Sequence, residues 1–190
     1  MQQVNKEAFI GKVNEAVSRN ITSRIIRGIR NFSRKREYRE LVKNTQVKFT
    51  AVKIFTGDTM NIVVPDNVST SLFLNGCFEA DDTKGLIMSL SEGDTFIDIG
   101  AHIGYYSMVA SRLVGDSGKV ISFEPTPSTF GLLQKNLQQK GNVKLENLAV
   151  YSVQTNMEFN DYGLKYMVFN SFQKARLSDI DLQPNRINEQ

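Results

Sequence analysis

The sequence predicts an α/β fold with a doubly wound parallel sheet. Three short apolar segments, at residues 95–99, 119–123 and 143–145, alternate with two amphipathic helical segments. Uninterrupted apolar segments of this length are typical of strands that a parallel sheet buries on both faces. Glycine-containing turns separate the segments and mark their ends. The order strand, helix, strand, helix, strand corresponds to one βαβαβ half of such a sheet.

The loop after the first predicted strand has the composition of a nucleoside-binding turn. The strand Thr95–Ile99 ends at Gly100, and Gly104 precedes the helical segment Tyr105–Val114. Glycines at these positions let a ligand approach the backbone, and the start of the helix offers unpaired N–H groups to a carboxylate. The second strand ends at Glu124, where a carboxylate can accept hydrogen bonds from two ribose hydroxyls.

The spacing of the glycines argues against a dinucleotide. A dinucleotide fingerprint reads G-x-G-x-x-G, and its middle glycine makes room for the pyrophosphate. This chain has His102 at that position, in the run Asp98-Ile-Gly100-Ala-His-Ile-Gly104. S-adenosylmethionine has no phosphate, and its amino-acid tail can use Asp98 and the loop backbone. The residues therefore favour S-adenosylmethionine over a nicotinamide cofactor.

The second helix of the predicted half-sheet has clear boundaries. Thr126 is expected to cap it and Pro127 to occupy its first turn. Gly141-Asn142 ends it. Apolar residues at Phe130, Leu133 and Leu137 are expected to lie on one face and to pack on the sheet.

The N-terminal residues 1–44 form a basic arm, predicted to be helical over residues 5–43. They contain eleven Lys and Arg residues against four Glu, a net charge of +7, whereas the rest of the chain carries −4. Apolar residues recur every three or four positions and share one face. One interpretation is a helix packed on its own domain or on a second subunit, with a solvated basic face. The alternative is weak contact with an anionic membrane surface. Nucleic acid is not expected as a partner, because no aromatic interleaving or known motif accompanies the charge.

Composition places the chain among globular proteins of a reducing compartment. Its single cysteine, Cys77, rules out an internal disulfide framework and is expected to be a small core residue. The N-terminus lacks a secretory pattern, and no apolar run approaches the roughly 18 residues of a membrane span. These features predict a cytoplasmic protein. It would be membrane-peripheral if residues 1–44 contact a membrane surface. The sequence offers no metal site.

Further strands flank the predicted half-sheet. Val47–Ile54 and Met60–Val64 are β-branched segments separated by a glycine-containing turn, which predicts a hairpin. Residues 69–91 are less clear, apart from a helix over Asp82–Leu90. Beyond Val150, Thr155–Phe159 and Lys165–Phe169 are expected to form a second, local hairpin, followed by a polar tail over residues 183–190.

The central segment resembles the FkbM family of S-adenosylmethionine-dependent methyltransferases. The resemblance rests on the run from Gly93 to Ser107, G-D-T-F-I-D-I-G-A-H-I-G-Y-Y-S, on V-I-S-F-E-P over residues 120–125, and on E-N-L-A-V over residues 146–150. It extends from about Phe73 to Phe172. It implies a Rossmann-like class I methyltransferase sheet, S-adenosylmethionine as the methyl donor, and a hydroxyl group on a sugar, lipid or secondary metabolite as the acceptor.

The resemblance also assigns roles to individual residues. It implies that Glu124 holds the ribose and that Asn147 and Leu148 border the adenine. His102 is the only histidine of the chain. Its place in the first loop favours contact with the cofactor, and a structural role or proton transfer are the alternatives. The remaining residues implied to line the methionine and ribose are Asp98, Gly100, Ala101 and Gly104.

The same resemblance predicts that residues 45–190 form a methyltransferase domain that is incomplete at its C-terminus. Members of the family continue into a fourth strand with a motif close to K-I-D-V-E-G, and this chain has no such motif. The N-terminal half of the sheet is therefore expected, and no residue can be assigned as the general base. Two functions stay open: an O-methyltransferase, or a catalytically incompetent fragment of that fold that serves as a binding or interaction module.

Overall fold

The computed structural model describes residues 4–17, 33–43, 46–153, 157–164, 166–167, 170 and 185–189. The helices are α1 (Lys6–Val17), α2 (described over residues 33–42), α3 (Asn67–Asn75), α4 (Ala80–Ser89), α5 (Tyr105–Val114) and α6 (Pro127–Leu137). The strands are β1 (Lys48–Lys53), β2 (Thr59–Val64), β3 (Thr95–Ile99), β4 (Lys119–Phe123), β5 (Val143–Glu146), β6 (Met157–Asp161) and β7 (Asn185–Glu189).

A three-stranded parallel sheet in the order β3-β4-β5 lies at the centre of the fold. Helix α5 connects β3 to β4, and α6 connects β4 to β5. This is the predicted βαβαβ half, and all five elements agree with the sequence interpretation. The fold is therefore α/β with a Rossmann-like sheet.

Helices α5 and α6 supply most of the core next to the sheet. Met108 and Val109 of α5 are buried, as are Leu133 and Leu137 of α6. Pro127 occupies the first turn of α6, and Thr126 is its N-cap residue, although the Thr126 side chain makes no capping hydrogen bond. Its hydroxyl instead accepts a hydrogen bond from Asn170 Nδ2 at 3.2 Å.

The predicted hairpin β1–β2 is confirmed, with antiparallel pairing from Lys48 opposite Val64 to Lys53 opposite Thr59. Its turn is tied to helix α5 and to the loop after α6 by Asp58, which accepts two hydrogen bonds from Arg112, both at 2.9 Å, and one from Lys140 at 3.0 Å. These contacts and the hydroxyl of Thr56 hold the pKa of Asp58 at about 2, although burial opposes the shift.

Helix α3 was not expected from the sequence. Asp66 caps it by accepting a hydrogen bond from the backbone N–H of Ser69 at 2.9 Å, and Gly76 ends it in the left-handed conformation. Both are ordinary helix boundary signals. They were obscured because the segment between them, Val68 to Leu74, has Ser and Thr among its apolar residues.

The structure describes two helices in the N-terminal arm, α1 and α2. Helix α1 buries Val13 in the core and contacts α4, and its Phe9 ring meets the Phe55 ring edge-on. In α2, Tyr38 hydrogen-bonds Thr70 at 2.6 Å. The middle of the predicted helix, residues 18–32, lies outside the described residues. The described parts of the arm thus pack on their own chain, and the boundary at residue 44 stays a prediction.

The predicted local hairpin beyond residue 150 is wrong. Strand β6 pairs antiparallel with β7, whereas Lys165–Phe169 forms no strand at its described positions, Tyr166 and Met167. The polar tail of the sequence analysis contains β7. The prediction failed because β6 pairs with a strand that is distant in the sequence, and a local sequence pattern does not show which strands pair.

Candidate functional site

A cavity of about 330 Å³ opens at the carboxyl ends of the central strands. Its volume falls within the range of small-molecule pockets, and parallel sheets bind ligands at this end. A larger, polar groove of about 720 Å³ lies at the amino ends of the strands, around Glu92, Gly115 and Asn142. The position at the carboxyl ends makes the smaller cavity the candidate site. Its lining residues are Ile99, Gly100, His102, Phe123, Glu124, Pro125, Leu148, Ala149, Val150, Phe159, Met167 and Asn170.

The loop between β3 and α5 is held against the end of β4. The backbone N–H groups of Gly100 and Ala101 both donate to the carbonyl of Phe123 at 2.9 Å. Gly100 has φ of 78°, and a Cβ added there would meet no atom within 4 Å. The space above this residue is therefore open to a ligand, as the sequence predicts.

Gly104 has a different role in the fold. It precedes α5 with φ of 88°, and a Cβ there would lie 2.6 Å from Leu133 Cδ1 and 2.9 Å from Leu137 Cδ1. The glycine thus allows α6 to pack closely against the start of α5. It does not line the cavity, so its contact with a cofactor stays a prediction.

Glu124 lies beneath the loop and is 6% exposed. Its carboxylate accepts hydrogen bonds from the backbone N–H groups of His102 at 3.0 Å and Thr126 at 3.1 Å, one on each oxygen. Burial raises its pKa, and the two N–H groups oppose that effect. Because a carboxylate has about four acceptor positions, these two N–H groups and the Thr126 side chain do not occupy all of them, and the carboxylate can still accept from a ligand hydroxyl.

Asp98 is not among the residues that line the cavity. It accepts a hydrogen bond from Ser107 Oγ of α5 at 2.5 Å, and Ser107 in turn contacts Ser122 of β4 at 2.7 Å. Burial raises the pKa of Asp98. The residue therefore ties β3 to the helix, and its contact with the methionine tail stays a prediction.

His102 borders the cavity in an uncommon conformation. Its φ is 53°, a region that side chains rarely occupy. Neither ring nitrogen has a hydrogen-bond partner within the described part of the chain. Burial lowers the pKa of the imidazole, and the nearby Asp66 carboxylate raises it in part.

The segment after β5 lines the cavity with apolar residues. Leu148 is 41% exposed and lines the cavity with Ala149. Asn147 does not line it. Its side-chain amide donates to the carbonyls of Glu124 and Pro125, both at 2.8 Å, and so joins β5 to the end of β4.

The structure brings four of the predicted residues to the cavity: Gly100, His102, Glu124 and Leu148. Ala101 is buried behind the loop, and Asp98, Gly104 and Asn147 support the walls.

Two features of the site were missed by the sequence analysis. Phe159, Met167 and Asn170 line the cavity from beyond β5, and their place depends on non-local contacts. Asn136 of α6 holds the loop by donating to the carbonyl of Ile103 at 2.8 Å, and it also hydrogen-bonds Asn61 of β2. The sequence did contain a signal for this contact, because Asn136 is a polar residue one helical turn after Leu133 on the face predicted to be buried.

The residues around the cavity fit S-adenosylmethionine. Gly100 leaves space at the backbone, Glu124 keeps acceptor positions for ribose hydroxyls, and Leu148 offers an apolar surface to a base. Together with the strand order, this arrangement defines a Rossmann-like nucleoside-binding protein.

Comparison with known proteins finds a matching family. Residues 98–187 match the family described as the Methyltransferase FkbM domain, and this part of the chain is similar to that family of S-adenosylmethionine-dependent methyltransferases. The cofactor of this family is S-adenosylmethionine.

Curated relatives and solved structures cover only parts of the chain. A protein-L-isoaspartate O-methyltransferase of Methanococcus maripaludis is 36% identical over 59 residues, which are 31% of this chain and 28% of the relative. One from Methanococcus aeolicus is 28% identical over 80 residues, 42% of this chain and 37% of the relative. The chain thus spans well under half the length of these relatives. A SAM-dependent O-methyltransferase structure from Thermotoga maritima shares 23% identity with a TM-score of 0.36, covering 52% of this chain and 40% of the other.

Within the described residues, no helix is long and apolar enough to cross a membrane.

Proposed function

We propose that this chain binds S-adenosylmethionine and takes part in methyl transfer to a hydroxyl oxygen of a sugar, a lipid or a secondary metabolite. The observation that carries the proposal is the cavity at the carboxyl ends of β3 and β4. There, an open glycine position and a buried carboxylate face the same space. The hydroxyl acceptor follows from the family resemblance and the methyl donor from the family itself.

The protein's contribution to such a reaction is mainly alignment. When bound, S-adenosylmethionine supplies a methyl group already activated on a sulfonium sulfur. Gly100 and Glu124 then fix the nucleoside, and Leu148 and Ala149 exclude water from its base. Holding the two reactants in line provides much of the rate enhancement in a displacement of this kind.

Calorimetry with S-adenosylmethionine tests the proposed site. The unaltered chain is expected to bind, and Glu124→Ala is expected to lose affinity by about 10- to 100-fold, because hydrogen bonds to a charged group contribute about 1.5–3 kcal/mol. Glu92→Gln, which removes an exposed carboxylate at the opposite end of β3, is the matched control and should bind normally. Absence of binding by the unaltered chain would refute the proposal.

The acceptor class is tested by the release of S-adenosylhomocysteine. Sugar, lipid and small phenolic hydroxyls form one set of candidate acceptors. An isoaspartyl peptide forms the second set, because the relatives from Methanococcus are named for that substrate. Turnover confined to the peptide would contradict a hydroxyl acceptor while leaving the methyltransferase assignment intact.

A second candidate function is a binding module without turnover. The observation that favours it is the uncovered face of the central sheet, where Ile97 and Ile99 of β3 are 55% and 63% exposed. Doubly wound sheets normally bury both faces. Binding of S-adenosylmethionine without release of S-adenosylhomocysteine, on any acceptor of either set, is the result that this alternative predicts.

A further inference from the structure

A buried acid and the only histidine of the chain meet at the wall of the cavity. Asp66 Oδ1 lies 4.0 Å from His102 Nε2, and the side chains are 0% and 19% exposed. Within the described residues, Asp66 Oδ1 and both ring nitrogens have no hydrogen-bond partner. Leaving a buried polar group unpaired costs about 1–3 kcal/mol. Three such atoms at one place therefore need a functional or ligand-dependent explanation.

Asp66 is held firmly at this position. Its other oxygen, Oδ2, caps α3 through the N–H of Ser69, and its carbonyl accepts hydrogen bonds from the N–H and hydroxyl groups of Thr70. The cap accounts for one carboxylate oxygen and leaves Oδ1 directed at the imidazole. An N-cap needs only one oxygen, so helix capping does not explain the second.

His102 is held from the opposite side. Its backbone N–H donates to Glu124 Oε2 at 3.0 Å, within the loop that also contains Gly100. Asp66 and Glu124 are the titratable side chains that contact His102 within the described residues. His102 thus lines the proposed donor site, and its imidazole lies beside the Asp66 carboxylate.

We propose that His102 accepts the proton that the acceptor hydroxyl loses during methyl transfer, with Asp66 as its positioning residue; this rests on the proposed function. The acceptor oxygen forms a bond to the methyl carbon as the carbon–sulfur bond breaks, and that electron pair remains on sulfur. The hydroxyl proton passes to the imidazole. The Asp66 carboxylate stabilises the resulting imidazolium, and the proton later leaves to solvent.

The environment of the pair suits this role. Burial lowers the pKa of the imidazole and so favours its neutral form, which can accept a proton. A carboxylate beside the ring favours the tautomer with hydrogen on Nε2, which leaves Nδ1 as the acceptor. Both ring nitrogens are buried and Asp66 lies beside Nε2, so the proposal requires that Nδ1 becomes accessible from the cavity while Nε2 stays beside Asp66.

Nitrogen NMR of histidine-labelled protein tests the pair directly, since one imidazole gives all the signals. In Asp66→Asn the titration midpoint of His102 is expected to move to lower pH by about 1 unit, because the charge that stabilises the imidazolium is gone. Asparagine is as good an N-cap as aspartate, so α3 should persist. Asp66→Ser keeps the helix cap and removes the second oxygen. Its His102 titration midpoint should match that of Asp66→Asn. If the His102 midpoint in both variants equals that of the unaltered protein, Asp66 does not interact with His102 and the proposal fails.

A second experiment separates this proposal from the proposed function on which it rests. Saturating S-adenosylmethionine should shift the His102 signals, while calorimetry should show the same affinity for Asp66→Asn and the unaltered chain. If the cofactor binds and the signals stay unmoved, His102 does not face the donor site and the proposal fails. If the unaltered chain does not bind, the proposed function fails, and the titration still decides whether the pair exists.

Turnover distinguishes proton transfer from a structural role. With a hydroxyl acceptor, His102→Gln is expected to lower kcat by about 100-fold or more. With a carboxylate acceptor such as the isoaspartyl peptide, no proton has to leave, and kcat should change little. Equal losses on both acceptors, or no loss on a hydroxyl, would contradict a proton-accepting role. If S-adenosylmethionine binds and no acceptor of either set gives turnover, the proton-accepting role is contradicted together with the proposed methyl transfer.

Discussion

At the scale of single residues, the same glycine motif serves two physical purposes. Gly100 leaves open space for a ligand, whereas Gly104 makes room for the side chains of α6. The sequence shows two glycines at ligand-binding spacing and cannot distinguish these purposes. The distinction depends on Leu133 and Leu137, which reach the loop only after α6 has packed.

Gly104→Ala is expected to destabilise the fold by about 2–4 kcal/mol, from the left-handed backbone and the clash with two leucines. Gly131→Ala is the matched control. Gly131 lies within α6 with no atom within 4 Å of an added Cβ, so alanine there should stabilise by about 0.5–1 kcal/mol. Urea denaturation of both variants measures the difference. Equal stability of the two variants would contradict the packing role of Gly104.

Asp58 should make stability depend on acid pH. Its pKa is lowered from 3.8 to about 2 in the folded protein, so the folded state binds fewer protons than the unfolded state. This contribution is full above pH 4 and disappears as the pH falls toward 2. Asp58→Asn should remove it and lower the free energy of unfolding at pH 7 by about 1–3 kcal/mol.

The control for Asp58 is the exposed pair of Glu40 and Lys43, whose side chains are 57% and 62% exposed. Glu40→Gln should leave stability unchanged within error, because solvent screens such pairs. Denaturation curves at pH 7 and at pH 3 provide the measurement. A loss in Asp58→Asn that is the same at both pH values would indicate lost packing and not lost charge.

At the scale of elements, the basic arm is anchored by the apolar face of α1. Val13 is fully buried and Val17, one turn later, is 40% exposed. The helix therefore uses its apolar residues against α4 and the hairpin. This packing accounts for the amphipathic pattern, for which the sequence left a membrane surface open as the alternative.

Val13→Ala is expected to destabilise the protein by about 2 kcal/mol, since it removes buried methyl groups and leaves a cavity. Val17→Ala, in the same helix, should cost less than about 0.5 kcal/mol. Thermal denaturation compares the two. If both variants match the unaltered protein, α1 does not contribute to the folded core in solution.

At the scale of the whole molecule, the central sheet is covered unequally. Helices α5 and α6 pack in the core, yet Ile97 and Ile99 face outward on β3. Within the described residues, β3 is also an edge strand with only β4 beside it. An exposed apolar edge without charged or proline residues on its outer face favours association between chains.

The unaltered chain is therefore expected to associate with rising concentration, and Ile97→Lys should reduce that association. Phe49→Lys is the control, because Phe49 is similarly exposed, at 62%, but lies on the separate hairpin sheet. Light scattering over a concentration series measures the average mass. A constant monomer mass for the unaltered chain, or an equal effect of both substitutions, would contradict this expectation.

The sequence by itself determined the elements of the half-sheet, the glycine loop and the acidic residue at the second strand end. These follow from local periodicity and turn chemistry, which act over a few residues. Only the tertiary structure decided the pairing of β6 with β7, the packing role of Gly104, the Asn136 contact that holds the loop, and the meeting of Asp66 with His102. These four features depend on contacts between segments that are distant in the sequence. A local sequence pattern does not show such contacts, and it does not show that Asp66 Oδ1 is buried without a hydrogen-bond partner.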